Sequence, residues 1–157
     1  MNLWLIGSGP MARDYVKVLK TQGIEFCVIG RGEDSACSFE EVMGVPVQTG
    51  CLERAILTNE TPDAAIVAVS VEQLTPVTSQ LLKSGTKRIL LEKLGGLNVK
   101  ELSNLAKQAN ALKSEVLLAY NHRFYTASKK AEELIQEDGG LTSFHFDFTE
   151  WSHQTNI

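Results

Sequence analysis

The chain has few cysteines and no long apolar run. Its three cysteines, Cys27, Cys37 and Cys51, are an odd number without C-x-x-C spacing. This pattern argues against a disulfide framework or a zinc site and indicates reduced thiols in a cytoplasmic protein. Cys27 lies in an apolar run, so we expect it in the core. The N-terminus lacks a basic stretch followed by a long apolar one, so the sequence predicts neither a signal peptide nor a membrane span.

An excess of positive charge is also missing. The formal net charge is −4, which argues against a nucleic-acid partner because neutralising phosphates needs a basic face. It does not argue against a small anionic ligand held by backbone N–H groups at the start of a helix. Apolar residues make up 43% of the chain and charged residues 22%, as in a globular protein with a core.

Short apolar strands alternate with amphipathic helices along most of the chain. The sequence predicts strands at Leu3–Ile6, Phe26–Ile29, Val45–Val47, Ala65–Ser70, Arg88–Leu91 and Glu115–Ala119, and helices at Met11–Gln22, Ser38–Met43, Leu52–Asn59, Glu72–Ser84 and Asn98–Leu112. Proline in the third strand favours a sheet edge, and Asn98 is a candidate helix cap. This alternation predicts an α/β fold with a doubly wound parallel sheet.

The first strand runs directly into a G-x-G-x-x-A motif. Its first glycine allows a tight turn, its second lets the backbone approach phosphates, and Ala12 lets the helix pack closely. The helix start adds free N–H groups and a partial positive charge. We therefore predict a dinucleotide-binding loop, with an ordinary turn or a methyltransferase-like nucleoside site as alternatives. The predicted cofactor contacts are Gly7, Ser8, Gly9, Pro10 and Met11.

Two further strand ends carry candidate cofactor residues, because sites in open α/β sheets lie at the carboxyl ends of strands. Arg31 follows the second strand, where an arginine suits the 2′-phosphate of NADP. Glu33 could instead reach a ribose, so NADP is favoured over NAD without excluding it, and Arg31 as an exposed loop charge is the alternative. Val69 and Ser70 end the fourth strand, where Ser70 would either line the cleft or cap the next helix.

The last two predicted strands end in groups that suit proton chemistry. Lys93 follows Glu92 after the fifth strand, and a lysine there can move a proton or hold a substrate hydroxyl. A surface ion pair between Glu92 and Lys93 is the alternative. Asn121, His122 and Arg123 follow the sixth strand and would place an amide, an imidazole and a guanidinium beside the same cleft, or form a polar hinge between domains.

The pattern changes after Tyr120. A helix is predicted over Phe124–Glu137, and phenylalanines then alternate with polar residues over Phe144–Phe148, which is typical of a strand with one aromatic face. We expect residues 1–120 to form a dinucleotide-binding domain of the Rossmann type. Residues 121–157 would begin a C-terminal α+β substrate or dimerisation domain that is mostly absent. Because an unpaired strand edge invites pairing with another chain, the aromatic strand would support a homo-oligomer.

Glu92-Lys93 and Asn121-His122-Arg123-Phe124, behind the N-terminal glycine motif, resemble the glucose–fructose oxidoreductase / inositol dehydrogenase (Gfo/Idh/MocA) family over essentially the whole chain. The resemblance implies the N-terminal portion of an NAD(P)-dependent oxidoreductase that transfers hydride between nicotinamide and a sugar- or polyol-like small molecule. Lys93 would be the catalytic lysine. The implied cofactor and substrate contacts are Gly7, Gly9, Met11, Arg31, Glu92, Asn121 and Arg123.

The chain departs from that family at several positions. Leu94 replaces the proline of E-K-P, so the peptide before it would be either cis or trans, and residues 69–74 lack the T-P-N-x-x-H motif. His145 and His153 do not match the acid–base histidine of the family's C-terminal domain. We therefore expect this chain to bind cofactor but to have little or no turnover alone. The alternative is a non-catalytic dinucleotide-binding module that acts as a redox sensor or as a subunit of an assembly.

Overall fold

A computed structural model describes residues 1–145 and 147 of the chain. The chain divides into two compact units, the first spanning residues 1–120 and the second beginning at Asn121. Each unit is described by itself below. Among the described residues, no helix is both long enough and apolar enough to cross a membrane.

The first unit is a six-stranded sheet flanked by helices. The strands are β1 (Leu3–Ile6), β2 (Cys27–Ile29), β3 (Val47–Gln48), β4 (Ala64–Val67), β5 (Arg88–Leu91) and β6 (Glu115–Leu118). The helices are α1 (Pro10–Thr21), α2 (Glu33–Met43), α3 (Cys51–Thr58), α4 (Val71–Ser84) and α5 (Val99–Ala111). All neighbouring strands are parallel, in the order β3-β2-β1-β4-β5-β6. This order confirms the predicted doubly wound, Rossmann-type fold.

The apolar residues of the sheet form one core on each face, as expected for strands covered on both sides. One face packs Trp4 and Ile6 of β1 against residues of α3, α4 and α5, including Leu52, Leu74 and Leu105. On the opposite face, the alternate residues Leu3 and Leu5 pack with α1 and α2 through buried residues that include Ala12, Val16 and Phe39. Successive residues of β1 therefore contribute side chains alternately to the two cores.

Several predicted boundaries move by a few residues. Helix α2 begins at Glu33, five residues before the predicted start. The apolar pattern did not reveal this start because the first turn is polar and only Ala36 and Phe39 are buried along the helix. Strand β4 ends at Val67, since the backbone leaves the sheet before Ser70. The short third strand does lie at the sheet edge, and the Asn98 side chain caps α5 by accepting the Glu101 N–H at 3.0 Å.

The prediction that Cys27 lies in the core is wrong. Its side chain is exposed, whereas Val28 and Ile29 after it are buried. Cys27 is the first residue of β2 and shares a sheet face with Ile29, which packs with Leu52 and Ala55 of α3. That apolar cover does not extend to Cys27, so an apolar run in sequence extends past the buried part of the strand.

The second unit begins with a 3-10 helix at Asn121–Phe124, followed by α6 (Thr126–Glu137). The single predicted helix is thus divided, because Tyr125 has an extended backbone conformation (φ −65°, ψ 143°). The aromatic strand predicted over Phe144–Phe148 lies partly outside the described residues, and Phe144, His145 and Asp147 are described without strand structure. His153 lies outside the described residues.

Candidate functional site

A cavity of about 630 Å³ opens at the carboxyl ends of β1, β2 and β4 in the first unit. It lies where the strand order reverses between β1 and β4, which is where open α/β sheets bind their ligands. Eight residues predicted to bind cofactor line this cavity: Gly7, Ser8, Gly9, Pro10, Met11, Arg31, Val69 and Ser70. The fold therefore brings together groups that are more than sixty positions apart in sequence.

Gly7 makes the tight turn between β1 and α1. Its φ is +123°, a conformation that residues with a side chain rarely adopt. A Cβ at this position would lie 2.2 Å from the backbone oxygen of Ala68. The Gly7 N–H donates to the Ile29 carbonyl oxygen at 2.8 Å, so the turn is fixed against both neighbouring strand ends.

Gly9 and Pro10 leave the start of α1 open to the cavity. Gly9 is the N-cap and Pro10 begins the helix, while no side chain of the described residues caps it and its first turn holds no acidic residue. A Cβ on Gly9 would meet no atom within 4 Å among the described residues, so the space beside it is open. Free N–H groups and a positive dipole end therefore face the cavity, which fits a pyrophosphate.

Arg31 and two serines, Ser8 and Ser35, line the cavity. The Ser8 hydroxyl donates to Ser35 Oγ at 3.1 Å, and Ser35 donates to the Gly32 carbonyl at 3.0 Å. Arg31 is exposed. Glu33, the alternative ribose ligand, begins α2 and is not among the described residues that line it. Sequence reasoning missed Ser35, which belongs to α2 and carries no motif of its own.

The opposite wall holds polar groups that no sequence motif marked. Cys51, Glu53 and Gln80 line the cavity from α3 and α4. The pKa of the Glu53 carboxylate is lowered because it accepts hydrogen bonds from the Cys51 thiol, from its own backbone N–H and from the Gln80 side chain. The bond from Gln80 is 2.6 Å long. Only the packing of α3 beside α4 brings these residues to the cavity.

Of the two alternatives predicted for Ser70, the structure shows the residue lining the cavity and no capping bond from its side chain to the described helix backbone. Ser70 stands at the N-cap position of α4. The backbone N–H of Glu72, and then the Ser70 hydroxyl, hydrogen-bond the exposed Glu72 carboxylate and lower its pKa. Ser70 therefore contributes a polar group to this edge of the cavity.

Glu92 and Lys93 directly follow β5, the strand next to β4. Neither is among the described residues that line the cavity. Glu92 is buried, and its carboxylate accepts the Tyr15 hydroxyl at 2.5 Å and the backbone N–H of Lys93 at 3.2 Å. Lys93 is exposed, and the Lys93–Leu94 peptide is cis. The alternative of a surface ion pair between Glu92 and Lys93 is wrong, because the carboxylate is directed to Tyr15 rather than to solvent.

Asn121 and Arg123 belong to the 3-10 helix of the second unit, where both are exposed. The Arg123 guanidinium lies 5.5 Å from the centroid of the Phe124 ring, and the His122 ring lies 4.7 Å from that of Tyr125. Their predicted roles at the nicotinamide and substrate stay predictions. Within the described part of the chain, no group of three or more His, Cys, Asp or Glu residues could hold a metal ion.

A parallel 3-2-1-4-5-6 sheet with a glycine turn at its switch point defines a nucleotide-binding domain of the Rossmann class. The sequence comparison makes this more specific. A family model described as "NADP oxidoreductase coenzyme F420-dependent" matches residues 2–92, more than half of the chain. The chain belongs to this family.

Solved structures of dehydrogenases and a reductase share the fold. GenD2 from gentamicin A biosynthesis, in complex with NAD, has a TM-score of 0.78 at 21% identity, over 92% of this chain and 41% of its own. The WlbA dehydrogenase of Bordetella pertussis, with NADH and UDP-GlcNAcA, scores 0.76 at 12% identity over 87% and 42%. Biliverdin reductase of Synechocystis, with biliverdin and NADP+, scores 0.70 at 15% identity over 84% and 42%.

These identities establish the fold alone. The chain spans about 40% of the length of the structures it matches, and no curated protein matches its sequence. The nucleotides in those structures, NAD, NADH and NADP+, agree with the predicted class of cofactor and do not distinguish NADP from NAD.

Proposed function

We propose that this chain is the cofactor-binding portion of an NAD(P)-dependent oxidoreductase and binds the dinucleotide in the cavity of the first unit. The observation that carries the proposal is the open N-terminus of α1 beside a turn that only glycine can make. Gly7 is excluded from carrying a side chain by Ala68, whereas Gly9 faces open space. The backbone N–H groups after Gly9 would hold the pyrophosphate without any charged side chain.

Arg31 and Ser35 would hold the 2′-phosphate, which favours NADP over NAD. Arginine presents several donors to a phosphate, and the hydroxyls of Ser35 and Ser8 lie in the same cavity wall. The family description, which names NADP, supports this assignment. Glu33 and Asp34 in the first turn of α2 are negatively charged and would repel a phosphate. The proposed preference for NADP over NAD therefore depends on Arg31.

Bound nicotinamide would supply or accept a hydride at its ring. Lys93 would hold or move the proton of the reacting hydroxyl, because it follows β5 at the carboxyl edge of the sheet, one strand from the cavity. Asn121 and Arg123 would contact the nicotinamide and substrate region. These three roles rest on the resemblance to Gfo/Idh/MocA enzymes.

A sugar- or polyol-like hydroxyl is the proposed substrate. The motifs after β5 and β6 support it, and so does the UDP-GlcNAcA bound to WlbA at a low identity. The family description names coenzyme F420 instead, so a deazaflavin as hydride partner is the competing outcome. The free thiols of Cys27, Cys37 and Cys51 support a reducing, cytoplasmic setting for either reaction.

Isothermal titration with NADP+, NADPH, NAD+ and NADH tests the binding proposal. We expect saturable binding of the NADP forms and weaker binding of the NAD forms. Heats indistinguishable from dilution for all four would exclude the proposed cofactor site. Turnover of NADPH with sugar nucleotides, polyols or F420 is assayed on the same preparation, and we expect it to be weak or absent.

A second candidate is a non-catalytic module that binds a dinucleotide and acts through association. The missing T-P-N-x-x-H pattern over residues 69–74 favours it, as do the large exposed apolar side chains of the second unit, Phe124 at 67% and Phe144 at 80%. Such surfaces mark interaction sites, and a homo-oligomer through the C-terminal segment is the predicted form. Sedimentation with and without NADP+ tests it, and a monomer in both conditions would exclude the homo-oligomer.

A further inference from the structure

Glu92 makes four hydrogen bonds in the first unit, two through its carboxylate and two through its backbone. Glu92 is only 8% exposed. Its carboxylate accepts the Tyr15 hydroxyl and the Lys93 N–H, its own N–H donates to the Val67 carbonyl at 3.0 Å, and its carbonyl accepts the Gly95 N–H at 2.9 Å. A buried residue that is hydrogen-bonded through both its carboxylate and its backbone has a defined position.

These bonds join three segments: helix α1, the end of β4 and the turn after β5. Tyr15 lies on α1, whose first residues line the cavity, and Val67 ends β4 immediately before the cavity residues Ala68 and Val69. Glu92 directly follows β5 and precedes the turn that carries Lys93. A shift of the carboxylate would therefore move the lysine relative to the glycine loop.

The Tyr15 contact supplies the long-range part of this arrangement. The two residues are 77 positions apart, whereas the bonds to Lys93 and Gly95 are local. Burial first, then the hydrogen bond to Glu92 and the charge of Glu92, raise the pKa of the Tyr15 hydroxyl. The hydroxyl therefore remains a donor across the physiological pH range.

The far end of the same turn is anchored separately. The Thr75 hydroxyl of α4 donates to the Gly95 carbonyl at 3.3 Å, and a Cβ on Gly95 would lie 2.6 Å from the Leu118 side chain. Gly95 is thus packed against the sheet. The near end, at Lys93, is held through Glu92.

We propose that Tyr15 and Glu92 are positioning residues that fix the Lys93 turn against the cofactor-binding helix α1. The proposal rests on the proposed function for its purpose, since Lys93 is the residue assigned to the reacting hydroxyl. Glu92 is then a support for the site rather than a contact of the dinucleotide. Supporting residues of this kind set how accurately a reactive group is held.

Tyr15→Phe is the decisive variant, because it removes one hydroxyl and keeps the ring. Hydrogen exchange of a peptide covering residues 92–96 should become about tenfold faster in Tyr15→Phe, since local opening costs less once an anchoring bond is gone. Thr21→Val is the matched control: it removes an exposed hydroxyl, bonded to the Lys17 carbonyl at 2.8 Å, from the other end of α1. Exchange equal to wild type in Tyr15→Phe would overturn the proposal.

The second measurement reads the lysine itself. Acylation of Lys93 by an activated acetate ester is followed by mass spectrometry with and without saturating NADP+. We expect NADP+ to slow this acylation about fivefold in wild type and less than about twofold in Tyr15→Phe. The NADP+ Kd should change less than about twofold, because the pyrophosphate is held by the glycine loop. Equal protection of Lys93 in both proteins would also count against the proposal.

Variants at Glu92 separate positioning from simple packing. Glu92→Gln retains an oxygen for the Tyr15 hydroxyl, so its Lys93 protection should lie between that of wild type and that of Glu92→Ala, with circular dichroism confirming that each variant folds. If NADP+ protected Lys93 from acylation as poorly in Glu92→Gln as in Glu92→Ala, the proposal would be contradicted. Absence of NADP+ binding in wild type defeats the proposed function, whereas unchanged exchange at residues 92–96 defeats the positioning role, so the two failures are distinguishable.

Discussion

Gly7 faces the backbone of Ala68 so closely that a methyl group at position 7 would lie 2.2 Å from the Ala68 oxygen. The two residues directly follow β1 and β4, the neighbouring strands between which the strand order reverses. Neither backbone segment can withdraw without losing pairing in the centre of the sheet. The close approach that shapes the cavity is therefore also a constraint on folding.

Gly7→Ala should destabilise the first unit by about 2–4 kcal/mol, because it combines a backbone clash with a φ of +123° and such strain is among the largest single-residue effects. Urea unfolding followed by circular dichroism measures it. Gly23→Ala is the control, since its φ is +64° but its Cβ would meet nothing within 4 Å among the described residues. It should cost only about 1–2 kcal/mol. Equal losses would show that the contact with Ala68 is unimportant.

Gly9→Ala should separate binding from stability. Its Cβ would enter open space and its φ of −88° suits alanine, so the free energy of unfolding should fall by about 1 kcal/mol or less. The methyl group would stand where we place the pyrophosphate, and NADP+ affinity should fall about tenfold or more. Calorimetry and urea unfolding on the same preparation test this, and unchanged affinity would remove Gly9 from the site.

Arg31→Ala should weaken NADP+ by about tenfold and NAD+ by less than about twofold, because an arginine–phosphate contact is charge-assisted. The NADP+ loss should shrink as salt is raised, since the contact is exposed and screened. Arg88→Ala is a charge-matched control at the opposite, amino-terminal edge of the sheet and should change neither affinity. Equal losses for both nucleotides in Arg31→Ala would contradict the assignment of the 2′-phosphate.

Tyr15 should make stability depend on pH in the alkaline range. Its pKa is raised above the usual 10.0, first by burial and then by the bond to Glu92 and its charge. Above about pH 10 the unfolded chain releases a proton that the folded chain retains, so unfolding becomes more favourable as pH rises. The stability advantage of wild type over Tyr15→Phe should be complete at about pH 8 and smaller at about pH 11. A constant difference in urea midpoints between the two would contradict this.

The sequence was a good guide wherever a pattern had one physical cause. Short apolar runs, each separated from the next by a helical segment, predicted all six strands of the first unit. A strand between two helical layers needs apolar residues on both faces, so it appears in the sequence as such a run. It was a poor guide at element ends. Cys27 follows the apolar pattern yet is exposed, since burial depends on how far α3 extends over β2. The start of α2 was missed because helices can begin with solvated turns.

Some residues of the candidate site were found from the sequence, and others became evident only in the structure. The glycine loop was found from sequence because its conformation admits few residue types, and Arg31 because it follows a strand end. Ser35, Glu53 and Gln80 were not found, since they belong to ordinary helices and reach the cavity only through packing. The partner of Glu92 was equally hidden: Tyr15 reads as an apolar-face residue of α1, and 77 positions separate the two.

By itself, the sequence determined the class of fold and the dinucleotide loop, because strand periodicity and glycine's backbone freedom are local properties of the chain. Only the tertiary structure decided that the Glu92 carboxylate meets the Tyr15 hydroxyl and that the second wall of the cavity is polar. Those contacts depend on how helices settle against the two faces of the sheet, and that arrangement is fixed by the sum of many weak packing interactions.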